Sequence, residues 1–134
     1  MTMTSIDANI AVEETIPSSI EGDDFAIPIK IHLPPDDTPI RAAVFFIHGG
    51  IFYHGSRDCH PTISRGLARL GLAVVTASFR SGEQGVTCRT NVTTKDLEDV
   101  IAYARGRWSD VPFGLVGSSS VSHAELLQLL ECSI

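Results

Sequence analysis

Phe113-Gly114-Leu115-Val116-Gly117-Ser118-Ser119-Ser120 reads as a short buried strand that stops at a glycine and places a serine at the corner before an apolar helical run. A strand that turns this sharply into a helix holds one residue at the top of the sheet in a strained conformation, the geometry of a nucleophile elbow. The elbow pattern is Gly-x-Ser-x-Gly, and Gly117, Ser118, Ser119 and Ser120 fill its first four places, which makes Ser119 the candidate nucleophile. The fifth place holds Val121. A β-branched side chain where strand and helix backbones pass close together is expected to push the helix outward or relax the turn. A shift of about 1 Å in the nucleophile costs on the order of a hundredfold in rate.

Working outward, Ala42-Ala43-Val44-Phe45-Phe46-Ile47 is apolar on both faces, as a central parallel strand covered by helices on each side must be. It runs into His48-Gly49-Gly50, where two glycines let the backbone approach a bound group and turn N–H groups toward it. Taken alone, the same tripeptide reads more readily as a tight turn, and it is the context that shifts the reading. Pro61 to Leu70 carries Ile63, Leu67 and Leu70 at near-helical spacing, with Cys59-His60-Pro61 as its entry and Gly71 as its stop. Leu72 to Ala77 is a second continuous apolar strand, followed by Ser78-Phe79-Arg80-Ser81-Gly82. Gly82 to Thr93 reads as polar and irregular. A second helix is expected from Thr94, capped by Thr93 or Thr94, with Leu97, Val100, Ile101 and Ala104 on its buried side and Gly106 near its end. Val121 to Leu130 reads as a third helix.

The amino-terminal part differs in kind. Residues 1 to 11 are small and polar and are expected to be flexible, with a partial domain over residues 12 to 134. Glu13 to Ile20 and Phe25 to Leu33 read as two strands joined through Glu21-Gly22-Asp23-Asp24, the second alternating Phe25, Ile27, Ile29, Ile31 and Leu33 against polar or small residues. Pro28 inside that alternation places the strand toward a sheet edge, and His32 is expected to face solvent. Strand and helix then alternate from Ala42 onward. Such a chain builds an α/β fold, a mostly parallel twisted sheet with helices on both faces and ligands at the carboxyl ends of the strands. His48-Gly49-Gly50 and Gly117 to Ser120 both fall at such ends.

Composition bounds the function. A chain of 134 residues, 43% of them hydrophobic, makes one globular domain. A net charge of -6 with no basic cluster argues against nucleic acid and anionic membranes, and no apolar run is long enough to span a bilayer. Small molecules or proteins are the better partners. Cys59, Cys88 and Cys132 are odd in number and lack metal-ligand spacing, and the first residues have no signal-peptide pattern, so a cytoplasmic setting is expected.

His48-Gly49-Gly50 with Phe52 and Gly55-Ser56, Ala77-Ser78-Phe79-Arg80, Asp96, and Gly114 to Ser120 together resemble the amino-terminal half of an α/β-hydrolase. The nearest likeness is to the esterases and lipases with an HGG motif, the hormone-sensitive-lipase-like carboxylesterases, over roughly residues 12 to 125. The resemblance implies hydrolysis of a small ester or related acyl substrate by Ser119. It implies an oxyanion hole from the backbone N–H groups of Gly49, Gly50 and Ser120, with His48 and Gly117 as motif residues. It implies no metal and no organic cofactor.

A serine needs a base to take its proton and fixed donors to meet the oxyanion, each donor being worth roughly 2.7 to 4 kcal/mol. In the family the acid and the base follow the serine on later strands. Here 15 residues follow Ser119, with His123, Glu125 and Glu131 among them. His123, four residues along the helix that the elbow launches, points along that helix and not across a pocket. His54 and His60 read as surface histidines, and Asp58 and Asp96 as structural, Asp96 through helix-start electrostatics. The expected chain is therefore a hydrolase domain truncated after the elbow helix, with its last strand an exposed edge open to self-association. Two readings stay open: a serine ester hydrolase lacking part of its machinery, and a non-catalytic relic of the same fold that binds a partner. A phosphate-binding turn at Gly117 to Ser120 is the weakest, because the lysine of a P-loop is absent.

Overall fold

The computed structural model of the chain describes residues 10–48, 56–80 and 91–117. Its first two strands, β1 (Ile10–Pro17) and β2 (Ala26–Leu33), pair antiparallel from Ile10 opposite Leu33 to Pro17 opposite Ala26. β1 thus opens and closes three residues earlier than its composition predicts. Ser18 to Ile20 leave the ladder because their backbone groups find other partners: Ser19 N–H donates to the Asp99 carboxylate at 2.8 Å and Ile20 N–H to the Ser18 hydroxyl at 3.2 Å. The connection closes through Ser18 N–H to the Phe25 carbonyl, and Gly22 turns it at a φ of 79° that a side chain would resist.

After β2 come β3 (Ala42–Ile47), α1 (Pro61–Arg69), β4 (Leu72–Ala77), α2 (Asn91–Arg107) and β5 (Phe113–Gly117). The five strands form one sheet in the order β1-β2-β4-β3-β5. β3 lies between β4 and β5 and runs parallel to both, while β4 meets β2 antiparallel, so the sheet is mixed. β2 is interior, not an edge. Pro28 is tolerated because the β2–β4 ladder ends at Ile29 opposite Ala77, one residue short of it. Its carbonyl still accepts Ser78 N–H at 2.8 Å, so the missing proline N–H removes only a bond at the frayed end.

Strand alternation sorts the side chains onto two faces. Ile27, Ile29, Ile31, Phe45, Ile47 and Val75 join Leu97, Val100, Ile101, Ala104 and Trp108 from α2 and its end in one apolar cluster. Each such side chain removed from water contributes about 1.5–3 kcal/mol. Lys30, His32, Phe46, Val74 and Thr76 face the other way, toward α1. His32 is therefore buried, at 3% exposure, and not solvent-facing, because α1 crosses over β2 and β4.

The buried face of α1 also differs from the expected stripe. Ser64 and Ala68 are fully buried, whereas Ile63 and Leu70 are 50% and 62% exposed. Small residues let this helix lie close to the sheet. α2 begins at Asn91, inside the stretch expected to be irregular, because Thr93 does not cap it. The Thr93 hydroxyl donates instead to the Arg80 carbonyl at 2.8 Å, from a position 1% exposed. The proposed third helix over residues 121 to 130 lies outside the described residues, and among those described no helix is long and apolar enough to cross a membrane.

Candidate functional site

Ile47 and Gly117 stand opposite each other where parallel strands β3 and β5 end. The sequence after Ile47 is His48-Gly49-Gly50 and after Gly117 is Ser118-Ser119-Ser120, so the chain leaves the two strands at one level, one strand spacing of about 4.8 Å apart. His48 is 3% exposed, and its ring stacks on Phe79 at 4.2 Å between centroids, with 6° between the planes. Phe79 follows β4, the other neighbour of β3. The motif histidine thus ties the start of the β3 turn to the chain beyond β4. Gly49, Gly50, Ser119 and Ser120 lie outside the described residues, as do His54 and His123.

The far side of the β3 connection is anchored to the same end of the sheet. Arg57 N–H donates to the Ser78 hydroxyl at 2.8 Å, and the Thr76 hydroxyl donates to the Arg57 carbonyl. The Arg57 guanidinium reaches the Ile29 carbonyl at 3.2 Å and the Glu13 carboxylate at 3.4 Å. Beside it, Lys30 meets Asp58 at 3.0 Å, which holds the Asp58 carboxyl below its ordinary value. His60 takes the left-handed region at φ 46° and ψ 51° just before Pro61, and its ring stacks on Phe46 at 5.1 Å. A non-glycine residue there is uncommon, and the proline that follows disfavours the ordinary helical alternative. Asp58 and His60 are thus structural in what they touch.

Arg80 and Asp96 are joined by three hydrogen bonds at this end. The Arg80 backbone N–H and Nε donate to one Asp96 oxygen at 2.9 and 3.0 Å, and Nη2 donates to the other at 2.8 Å. Asp96 is fully buried, so it acts through this clamp and not through helix-start electrostatics. Nη2 also meets Asp23 at 2.6 Å, and the guanidinium lies 4.3 Å from the centre of the Phe25 ring. Asp96 first, then Asp23, hold the guanidinium firmly charged, and Arg80 in turn depresses the Asp23 carboxyl. This network binds the β1–β2 connection, the chain after β4 and α2 together. Sequence reading found Arg80 and Asp96 within a motif but neither Asp23 nor Arg57, whose roles depend on hairpin and loop folding beside β4.

Other reactive groups are accounted for differently. Burial pushes the Cys59 thiol up to about 11, leaving it protonated and a poor nucleophile. Glu14 accepts from Tyr103 at 2.6 Å and Arg107 at 3.1 Å, contacts that lower its pKa and fasten β1 to α2. Among the described residues no His, Cys, Asp and Glu cluster could hold a metal ion.

No protein-family model matches the chain. Over 65 residues it is 34% identical to the ethyl acetate hydrolase of Pseudomonas putida, a match covering 46% of this chain and 20% of that protein. Its fold is similar to a Pyrobaculum calidifontis esterase, with a TM-score of 0.71 at 21% identity over 92% of this chain and 39% of that one. A bacterial heroin esterase matches with a TM-score of 0.75 at 22% identity, over 98% of this chain and 43% of the other. Brefeldin A esterase, a bacterial homologue of human hormone-sensitive lipase, matches at 0.69 and 20%, over 90% and 34%. The chain thus spans about two fifths of the length of the first two of these structures. At these identities the likeness establishes the fold, and chemistry has to be argued from the site.

Proposed function

From a chain with the α/β-hydrolase fold of these esterases, we propose a serine hydrolase domain for small carboxylic esters or related acyl compounds, with Ser119 as its nucleophile. The observation that carries this reading is the register of Ile47 opposite Gly117, which starts the glycine turn and the serine turn side by side. In the proposed reaction the Ser119 hydroxyl adds to the ester carbonyl and its proton passes to a base. The developing oxyanion meets the N–H groups of Gly49, Gly50 and Ser120, and collapse releases the alcohol. Water then hydrolyses the acyl-enzyme. His48 and Phe79 hold the first turn, and the Arg80–Asp96 clamp holds the chain after β4.

The base is the part least supported by these residues. His32 is packed beneath α1, His48 stacks on Phe79 and His60 stacks on Phe46. In the family resemblance the acid and base come from later strands, so the 134 residues by themselves are proposed to turn over substrate slowly or not at all. The setting we propose is cytoplasmic, with no nucleic-acid partner. A second reading, a non-catalytic relic that binds a partner, is favoured by Val121 in place of the elbow glycine.

Incubation of the folded chain with a fluorophosphonate probe, followed by intact mass and peptide mapping, separates the two. A single adduct at Ser119, absent from Ser119→Ala, is the expected result. A folded chain that takes up no probe would overturn the nucleophile assignment and leave the relic.

A further inference from the structure

β2 and α1 meet over a histidine with nothing to bond. His32 is 3% exposed, and among the described residues neither Nδ1 nor Nε2 has a hydrogen-bond partner. It stands opposite Ala11 of β1 and Val74 of β4, near the end of the interior strand β2, on the face that α1 covers. Ser64, fully buried on α1, has a hydroxyl that is likewise unpartnered. A neutral imidazole can be left this way at modest cost, whereas an imidazolium brings a charge into a site removed from water, where no carboxylate bonds it.

The charged neighbours reinforce that asymmetry. From β2 itself Lys30 faces His32, from α1 Arg65, and from the chain before α1 Asp58, whose carboxylate is held by Lys30 at 3.0 Å. From β1 Glu13 lies on the same face, opposite Lys30, and is 3.4 Å from Arg57. β4 presents Leu72, Val74 and Thr76 on that face, none of them titratable. Burial, then Lys30 and Arg65, hold the His32 imidazole below its ordinary 6.5, with Asp58 opposing them.

The two helices are also held unequally. α1 buries Ser64 and Ala68 and leaves Ile63 and Leu70 largely in solvent, whereas α2 sinks Leu97, Val100, Ile101 and Ala104 into the main core. Local opening starts where little apolar surface resists it. We propose that His32 is an acid-sensitive latch between β2 and α1, neutral when the helix is docked and releasing it when the ring takes a second proton. The sign follows from the direction of the shift. Because the docked state disfavours the proton, the contribution of His32 is complete above the ordinary pKa of 6.5 and is lost as pH falls below it toward the docked value. The latch is independent of Ser119 and survives if the hydrolase reading fails.

Amide hydrogen exchange of the full chain at pH 7.5 and pH 5.0, corrected for intrinsic rates, tests it. Protection over residues 61–69 is expected to fall at the lower pH, by up to about tenfold per pH unit for a single proton, while residues 97–104 keep theirs. In His32→Leu the pH dependence over 61–69 should vanish. If it persists unchanged in that variant, the latch is wrong. Should the variant not fold, imidazole NMR titration of the wild-type chain decides. Coincidence of His32 protonation with loss of protection over 61–69 supports the latch, and a His32 that titrates at or above 6.5 with α1 still protected overturns it.

Discussion

Arg80 meets Asp96 through its backbone N–H, its Nε and its Nη2, and does so from a side chain only 15% exposed against a carboxylate that is fully buried. The pair therefore works as a bracket whose halves cannot be parted cheaply. Asp96→Ala would leave a largely buried guanidinium with only Asp23 to answer it. A loss of about 3–5 kcal/mol is expected, the range for breaking a buried pair by removing one partner. Urea unfolding of wild type and variant measures it, and a loss below about 1 kcal/mol would show that Asp23 alone suffices.

Gly71 joins α1 to β4 at a φ of 98°, and a Cβ added there would sit 2.9 Å from Arg41 Nε and 3.3 Å from the Pro39 carbonyl oxygen. Arg41 is not idle at this place, since its Nε donates to the Leu70 carbonyl at 3.0 Å and its backbone N–H to the Gly71 carbonyl at 2.8 Å. Gly71→Ala must adopt the left-handed region and also displace that side chain. The backbone alone accounts for about 1–2 kcal/mol, so a destabilisation of at least that size is expected in thermal or urea unfolding. An unchanged midpoint would mean that the turn relaxes freely.

The parallel strands were legible because a strand covered on both faces must be largely apolar on both, and Val44 to Ile47 and Leu72 to Val75 are. The first of these runs, with Phe113 to Gly117, located where the chain leaves the sheet after Ile47 and after Gly117. What the sequence could not carry was pairing. Pro28 argues for an edge only if the ladder on its N–H side extends past it, and that ladder stops at Ile29. His32 looks solvent-facing in a strand considered alone and becomes buried once α1 lies across it. Glu14 points to the α2 side, against the hydrophobic pattern, because Tyr103 and Arg107 meet it there from 89 and 93 residues away. At the candidate site the motif residues could be named, but Asp23 and Arg57 belong to it only through long-range folding.

β5 is an edge strand among the described residues, paired with β3 on one side alone, and Val116 on it is 40% exposed. An unpaired strand edge carries a row of free N–H and C=O groups that another chain can complete, and an apolar side chain beside it adds to the attraction. We therefore expect the 134-residue chain to self-associate through this edge as its concentration rises. Val116→Lys should weaken that association by about tenfold or more, since a lysine on an edge strand must be desolvated or repelled when two copies approach. Val116 is partly exposed but stands opposite buried Phe46, so a small effect on unfolding, within about 1 kcal/mol, is expected alongside. Sedimentation equilibrium across a concentration series measures the first quantity and urea unfolding the second. Equal association in the two proteins, at equal stability, would place any contact between copies elsewhere than on β5.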